Sequence, residues 1–277
     1  MPRTSIISIH NEQLKQVRRL ARRRERDRSG RFVAEGEDLL TAADQANWPA
    51  LERYCLTGSG LPGRETSGDA LASVSALGSS TRTLAVYEQR WAAPAGPLCV
   101  YLHGVADPGN VGTILRGALA FGAATVVLGP GCADPYGPKA TRASMGAIFA
   151  VPVARATVSE LPGERVALVA HGGDALRGPD MAAELSGSGS DLRTGMGTGL
   201  GRPPHPLTIL VGAERGGLPE EVVGRCHRVA HIPIAGESLN AAMAATVALY
   251  ELTRWAPPSP TPSPFATAPA NPRMAST

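Results

Sequence analysis

From Leu98 onward the chain alternates short apolar runs with segments of helical period. The runs cover 98–105, 125–129, 166–171, 207–212 and 229–234; the helical segments cover 110–121, 219–226 and 238–254. Runs this apolar suit strands buried on both faces. Strand, helix and strand in succession confine the chain to a parallel sheet covered by helices. Ligands in such folds bind beyond the carboxyl ends of the strands. The residues that follow each run are therefore where chemistry is expected.

Three of those strand ends carry polar residues in turns. The first is Asp107-Pro108-Gly109-Asn110, leading through Gly112 and Arg116 to Gly117-Ala118. Pro108, Gly109 and Asn110 are turn and capping residues, and a helix from Asn110 places Arg116 within its first two turns. Gly112, Gly117 and Ala118 suit close approach by a backbone or a ligand, so Arg116 is expected to face inward. The second stretch ends its apolar run at Gly212, sets Glu214 in a Gly-rich turn and restarts as a helix at Pro219, a favoured first-turn residue. The third runs from His231 to Asn240. Its strand stops at Pro233, Gly236 turns the chain, and a helix begins at Ser238-Leu239-Asn240 and runs to Tyr250-Glu251. Free backbone amides at such a turn can hold a small ligand. Taken singly, the three also read as a surface arginine, a solvated loop glutamate and a well-capped helix.

Taken together and in order, they resemble the three motifs of the SpoU (TrmH-type) branch of the SPOUT methyltransferases. The matching residues are Asn110, Gly112 and Arg116; Gly212, Glu214, Gly217 and Leu218; and Ile232, Pro233, Ser238, Leu239 and Asn240. Asp134-Pro135-Tyr136 and Arg142-Ala143-Ser144-Met145-Gly146 resemble the family as well. The chain departs from it in the third motif, where only Glu237 separates Gly236 from Ser238. The resemblance implies an α/β fold: a C-terminal parallel sheet in the trefoil-knotted SPOUT methyltransferase arrangement, plus a small α/β N-terminal domain like ribosomal protein L30e. It implies S-adenosylmethionine as cofactor, RNA as substrate, a homodimer as the assembly and no metal.

Arginines crowd the N-terminal region. Between Lys15 and Arg31 stand Arg18, Arg19, Arg22, Arg23, Arg24, Arg26 and Arg28 against Glu25 and Asp27, although the whole chain carries a net charge of only +3. An arginine-dense helix is a ready phosphate-binding surface, and guanidinium also stacks on bases. A solvated charged face is the plainer reading. Ser8 and Asn11 offer caps before that helix. The Phe32-Val33-Ala34-Glu35-Gly36 piece reads as a strand and turn before a helix through Leu39 to Ala46, and it resembles the substrate-binding domain of many SpoU enzymes. These features predict an RNA substrate-binding domain over 1–90, a linker over 91–97, a methyltransferase domain over 98–255 and a disordered tail over 256–277. The Gly-rich stretch from Ser186 to Pro206 reads as a surface insertion, and the Pro, Ser and Thr content of the tail is too polar to fold.

No run of about 18 apolar residues crosses the chain, so no membrane partner is expected. The N-terminus shows no apolar signal region. Cys55, Cys99, Cys132 and Cys226 have no metal-type spacing and are too few for a disulfide scaffold, which suits reduced thiols in a cytoplasmic protein.

The expected reaction is methyl transfer to a ribose 2′-hydroxyl of RNA. Arg116 is expected at the hydroxyl, stabilising developing negative charge rather than acting as a base, because guanidinium is normally protonated. Asn110 orients Arg116 or the ribose, Glu214 holds the polar network, and Ser238 and Asn240 orient ribose or phosphate. The cofactor is expected against Gly212, Ile232, Pro233, Ile234 and Leu239, with His171 and Gly172 over the adenine. The extra N-terminal domain favours 23S ribosomal RNA over tRNA, by analogy alone. A non-catalytic RNA-binding protein of the same fold stays open. A dinucleotide-binding enzyme does not fit, since the Gly109–Gly112 turn lacks the required glycine spacing.

Overall fold

The computed structural model describes residues 5–76, 81–176 and 206–253. The predicted insertion before Pro206 and the predicted tail lie outside them. The first region contains α1 (Glu12–Arg19), α2 (Arg23–Ser29), β1 (Arg31–Glu35), α3 (Glu37–Gln45), β2 (Glu52–Leu56), β3 (Arg64–Thr66), α4 (Gly68–Ala72) and β4 (Thr83–Glu88). Its four strands lie in the order β1-β4-β2-β3. β4 is antiparallel to both β1 and β2, and only β2–β3 is parallel. One face of this sheet closes over α1 and α4 through Leu14, Val17, Leu71, Leu84 and Val86.

The basic segment forms two helices, not one. α1 is capped by Asn11, whose side chain accepts from the amides of Gln13 and Leu14 at 2.9 and 3.3 Å. It stops at Leu20, and α2 begins after Arg22 and ends on Gly30 in the left-handed conformation. Burial explains the break. Leu14, Val17 and Leu20 keep one face of α1 on the sheet, whereas α2 turns its Arg26 the other way.

The second region holds β5 (Leu98–Leu102), α5 (Pro108–Ala120), β6 (Thr125–Leu128), α6 (Pro138–Ala143), α7 (Ala147–Ala150), β7 (Val153–Arg155), β8 (Glu164–Val169), β9 (Asp174–Ala175), β10 (Leu207–Val211), α8 (Glu220–Val223), β11 (Arg228–His231) and α9 (Ala241–Thr253). All described pairings are parallel, in the order β7-β6-β5-β10-β8-β11-β9. The sheet grows outward from β5 through β6 and β7. The chain then crosses to β8, and β10 returns to fill the gap between β5 and β8. The direction of growth reverses there, and crevices form at such reversals. α6, α7, β7 and β9 have no counterpart among the predicted elements. They are two to six residues long, too brief for periodicity to announce.

α5 starts two residues earlier than expected. Asp107 is its cap, accepting from the amide of Asn110 at 2.9 Å, and Pro108 is its first residue. Its small residues serve helix packing. A Cβ on Gly112 would meet the Ala140 carbonyl at 2.4 Å, and one on Gly117 would meet Thr246 Oγ1 at 3.1 Å. α6 therefore presses on α5 at Gly112 and α9 presses on it at Gly117. Arg116 lies on the open strip between these two contacts and is exposed, which corrects the inward placement expected for it.

The two sheets share one core. Phe32, Trp48 and Tyr87 from the first region join Tyr136 and Phe149 from the second, with ring centroids 4.7–5.9 Å apart for Phe32–Tyr136, Tyr87–Phe149 and Phe32–Phe149. Beside them Arg26, 4 % exposed, pairs with Asp134 at 2.7 Å. Its remaining donors reach the Leu20 and Ala21 carbonyls at 2.8 and 2.9 Å. A buried ion pair repays its desolvation only when its other hydrogen bonds are made, as they are here. Arg26 is thus removed from the RNA-facing set that the sequence predicted. Arg142 adds an ion pair to Asp38 at 3.0 Å.

The predicted linker is packed as well. Trp91 meets Tyr136 edge-on at 5.2 Å, and Ala92 bridges to Ala154. No described helix is long and apolar enough to cross a membrane. All four cysteines are free, and burial pushes the Cys99 thiol up to about 11.

Candidate active site

Beyond the carboxyl ends of β8, β10 and β11 lies a cleft of ≈ 410 Å³. Leu168, Val211, Ile232, Ile234, Leu239 and Ala244 give it apolar walls, and the loop from Gly212 to Leu218 supplies backbone along one side. That volume and mixture suit one small, partly apolar ligand held by a few polar groups.

The loop has little freedom. Ala213 and Gly217 exchange backbone hydrogen bonds at 3.2 and 2.9 Å, and Gly217 takes φ +60° to close the turn. A Cβ on Gly212 would stand 2.2–2.4 Å from the backbone of Gly217 and Leu218. Glycine is required there because the turn folds back onto the strand end.

Glu214 leaves this turn toward Asn110, whose Nδ2 donates to Glu214 Oε1. Asn110 Oδ1 in turn accepts from Asn240 Nδ2 at 3.2 Å. Asn240 is also the cap of α9, accepting from the amides of Ala242 and Met243 at 2.9 and 3.4 Å. One polar chain therefore joins residues 110, 214 and 240, which three separate strand ends deliver to one place. It works because Asp107 does the capping of α5 and leaves the Asn110 side chain free to reach across. α9 accordingly begins at Ala241 rather than Ser238, and Pro219 is the cap before the short α8 rather than its first residue.

The predicted residues divide by position. Gly212, Glu214, Ile232, Ile234, Ser238 and Leu239 line the cleft. Asn110 and Asn240 stand at its rim through the polar chain. Arg116 lies further along α5, exposed and without a described ion pair. Pro233, His171 and Gly172 are not in the cleft wall; Leu168 and Val169 of β8 and the following Ala170 line it instead. The Gly172 carbonyl is 3.1 Å from His231 Nδ1, which ties the β8 and β11 ends together. Sequence reasoning missed Ala213, Arg215, Ala241 and Ala244 as lining residues. Ala213, Arg215 and Ala241 directly adjoin motif residues and Ala244 lies one helical turn beyond Asn240, which was the available signal.

The SpoU rRNA methylase family profile matches residues 97–250, more than half of the chain. The chain belongs to the SpoU rRNA methylase family. Residues 11–86 match the MRM3-like substrate binding domain, the part that carries the four-stranded sheet. The chain is 28% identical over 264 residues to the 23S rRNA (guanosine(2553)-2′-O)-methyltransferase RlmP of Bacillus subtilis, covering 89% of this chain and 98% of that protein. Its fold is similar to the AdoMet-bound rRNA methyltransferase of Sinorhizobium meliloti, with TM-score 0.73, 27% identity and coverage of 91% and 97% of the two chains. It is also similar to the SpoU methyltransferase AviRb of Streptomyces viridochromogenes in complex with AdoMet, with TM-score 0.71, 25% identity and coverage of 88% and 98%. As a SpoU-family chain it is an S-adenosylmethionine-dependent RNA methyltransferase. The cleft's chemistry fits that cofactor: apolar walls for a flat purine, and strand-end amides and carbonyls for its polar edges.

Proposed function

We propose that this protein methylates a ribose 2′-hydroxyl of 23S ribosomal RNA. The observation that carries the reading is the chain Glu214–Asn110–Asn240 at the rim of a cleft whose wall is the Gly212–Leu218 turn. When bound, S-adenosylmethionine supplies an electrophilic methyl group on sulfonium. Gly212, Ile232, Ile234 and Leu239 would hold it. The polar chain would fix the rim against which the ribose docks, so that Asn110 and Asn240 act as positioning residues. Ser238, exposed at the cleft, would meet the ribose or an adjoining phosphate. Transfer would break the sulfonium–methyl bond, leaving a neutral thioether, form the O–C bond and release the hydroxyl proton to water, and a guanidinium nearby would stabilise the developing alkoxide. Arg116 is the residue assigned to that role. Its exposure means that substrate, or a second subunit, must cover it for the effect to gain from a low dielectric.

The reading extends to a cytoplasmic homodimer with a trefoil knot at the cleft. Met243 and Tyr250, two turns apart on α9, and Leu119 on α5 are exposed apolar residues, and such a surface suits a second copy. Free thiols suit a reducing compartment. The test is transfer of labelled methyl from S-adenosylmethionine to deproteinised ribosomal RNA and, separately, to tRNA, followed by nucleoside analysis. A 2′-O-methylnucleoside in ribosomal RNA is expected. Label in tRNA alone overturns the substrate, and label on a base overturns the reaction.

A further inference from the structure

We infer that a groove at the seam between the two sheets seats the RNA strand flanking the target nucleotide; this rests on the proposed RNA methyl transfer. The groove encloses ≈ 580 Å³ between Arg23 of α2, Arg155 at the end of β7 and the loop after β6 from Gly129 to Ala133. It adjoins the cleft. A Cβ on Gly131 would stand 3.2 Å from Gly104 Cα, and one on Gly104 would stand 3.4 Å from Ala213 Cβ, in the cleft wall. A strand leaving the cleft across Gly104 therefore enters the groove directly.

Two guanidiniums wait there, already aimed. Arg155 lies 4.0 Å over the Trp91 ring, and its Nη2 is 3.2 Å from Asp27 Oδ1. Arg23 Nε is 3.6 Å from Asp27 Oδ2. Arg23 Nη1 also reaches the Cys132 carbonyl at 3.5 Å, and both arginine side chains are still about half exposed, at 49% for Arg155 and 55% for Arg23. The groove's own carboxylate, Glu160, is committed to Thr157, accepting from its amide and hydroxyl at 2.7 Å each. Arg22 and Arg24 extend the positive track along α2, exposed and in no described ion pair. Forked guanidinium donors suit phosphodiester oxygens. α2 cannot drift from this position, because Arg26 on the same helix is bound to Asp134.

Asp27 gives the proposal its sharpest consequence. As a structural bridge it would help hold the seam. As a neighbour of an RNA seat it competes with phosphate for the same two arginines. Removing its charge while keeping its shape separates the two roles.

The experiment compares the unaltered full chain with Arg23→Ala/Arg155→Ala, Arg23→Lys/Arg155→Lys and Asp27→Asn. Readouts are methyl transfer to deproteinised 23S ribosomal RNA, salt-dependent binding of a fluorescent single-stranded RNA oligonucleotide, and calorimetric S-adenosylmethionine binding. The double alanine variant should raise the RNA KM by roughly tenfold with kcat and cofactor affinity unchanged. Its log K against log salt slope should flatten by about 1.4, at about 0.7 per single-strand phosphate contact. The lysine pair should keep the slope, and Asp27→Asn should bind RNA as tightly as, or more tightly than, the unaltered chain. An unchanged KM and slope in the alanine variant overturn the inference, as does an Asp27→Asn chain weakened as much as that variant. If the unaltered chain neither binds nor methylates RNA, the functional reading falls and this inference with it. If it does both, only the groove is at stake.

Discussion

The seam and the cleft are built in opposite ways. At the seam, five aromatic rings interlock and a buried ion pair is held by further hydrogen bonds to the Leu20 and Ala21 carbonyls. At the cleft, Glu214, Ser238 and Asn240 are exposed, one wall is a turn, and one file of amide and carboxylate groups links three strand ends. The seam is finished before any ligand arrives, whereas the cleft is completed by one. Free energy of folding is therefore concentrated in the seam, and the cleft keeps its polar groups for ligands.

This contrast can be broken by substitution. The largest effect on folding should come from Asp134→Ala, which strands the Arg26 charge in the core. A loss of about 3–5 kcal/mol is expected, read by chemical denaturation; a loss below about 1 kcal/mol would mean that water reaches the seam. Arg116→Ala should do the reverse. Transfer should fall by about a hundredfold or more, roughly 2.7 kcal/mol, with an unchanged unfolding midpoint because the side chain is exposed. A near-normal rate would remove Arg116 from the reaction. Gly212→Ala tests whether the cleft has any rigid part. The added Cβ should cost about 1–3 kcal/mol of stability and abolish calorimetric cofactor binding, and retained binding would show that the turn can relax. Asn110→Ala should be milder, about 1–2 kcal/mol in transfer, with cofactor affinity preserved; equal losses in both would place Asn110 on the cofactor instead. The smallest effect is reserved for Arg22→Ala/Arg24→Ala. It should leave folding alone and flatten the salt dependence of RNA binding by about 0.7 per contact removed.

The two regions also differed in how far the sequence disclosed them. The five long strands of the parallel sheet were visible as apolar runs, and the residues of the polar chain were visible as motif positions. Side-chain direction was not. Gly112 and Gly117 were read as making room beside Arg116, yet they make room for α6 and α9, and Arg116 stands exposed on the strip between those two helices. The α1–α2 break was hidden because arginine continues through it, and only the burial of Leu20 against one sheet and of Arg26 against the other places it. The seam was nearly illegible. Its members, Phe32, Trp48, Tyr87, Tyr136 and Phe149, are spread over more than a hundred positions, and a pairing such as Arg26 with Asp134 leaves no local period. His171, Gly172 and Pro233 were named from neighbouring strand ends, and strand-end position alone does not say which residues face the crevice.

Two of the chain's three tryptophans, Trp48 and Trp91, stand at the seam, each beneath a guanidinium, Arg90 at 4.3 Å and Arg155 at 4.0 Å. Neither lines the cleft. The molecule thus carries its own optical reporter, placed away from the methyl donor and beside the proposed RNA seat. In a Trp255→Phe chain, emission from these two indoles should stay constant as the donor is titrated in and should change when a polynucleotide draws Arg155 off its ring, so one fluorimeter trace can tell the two binding events apart without a label.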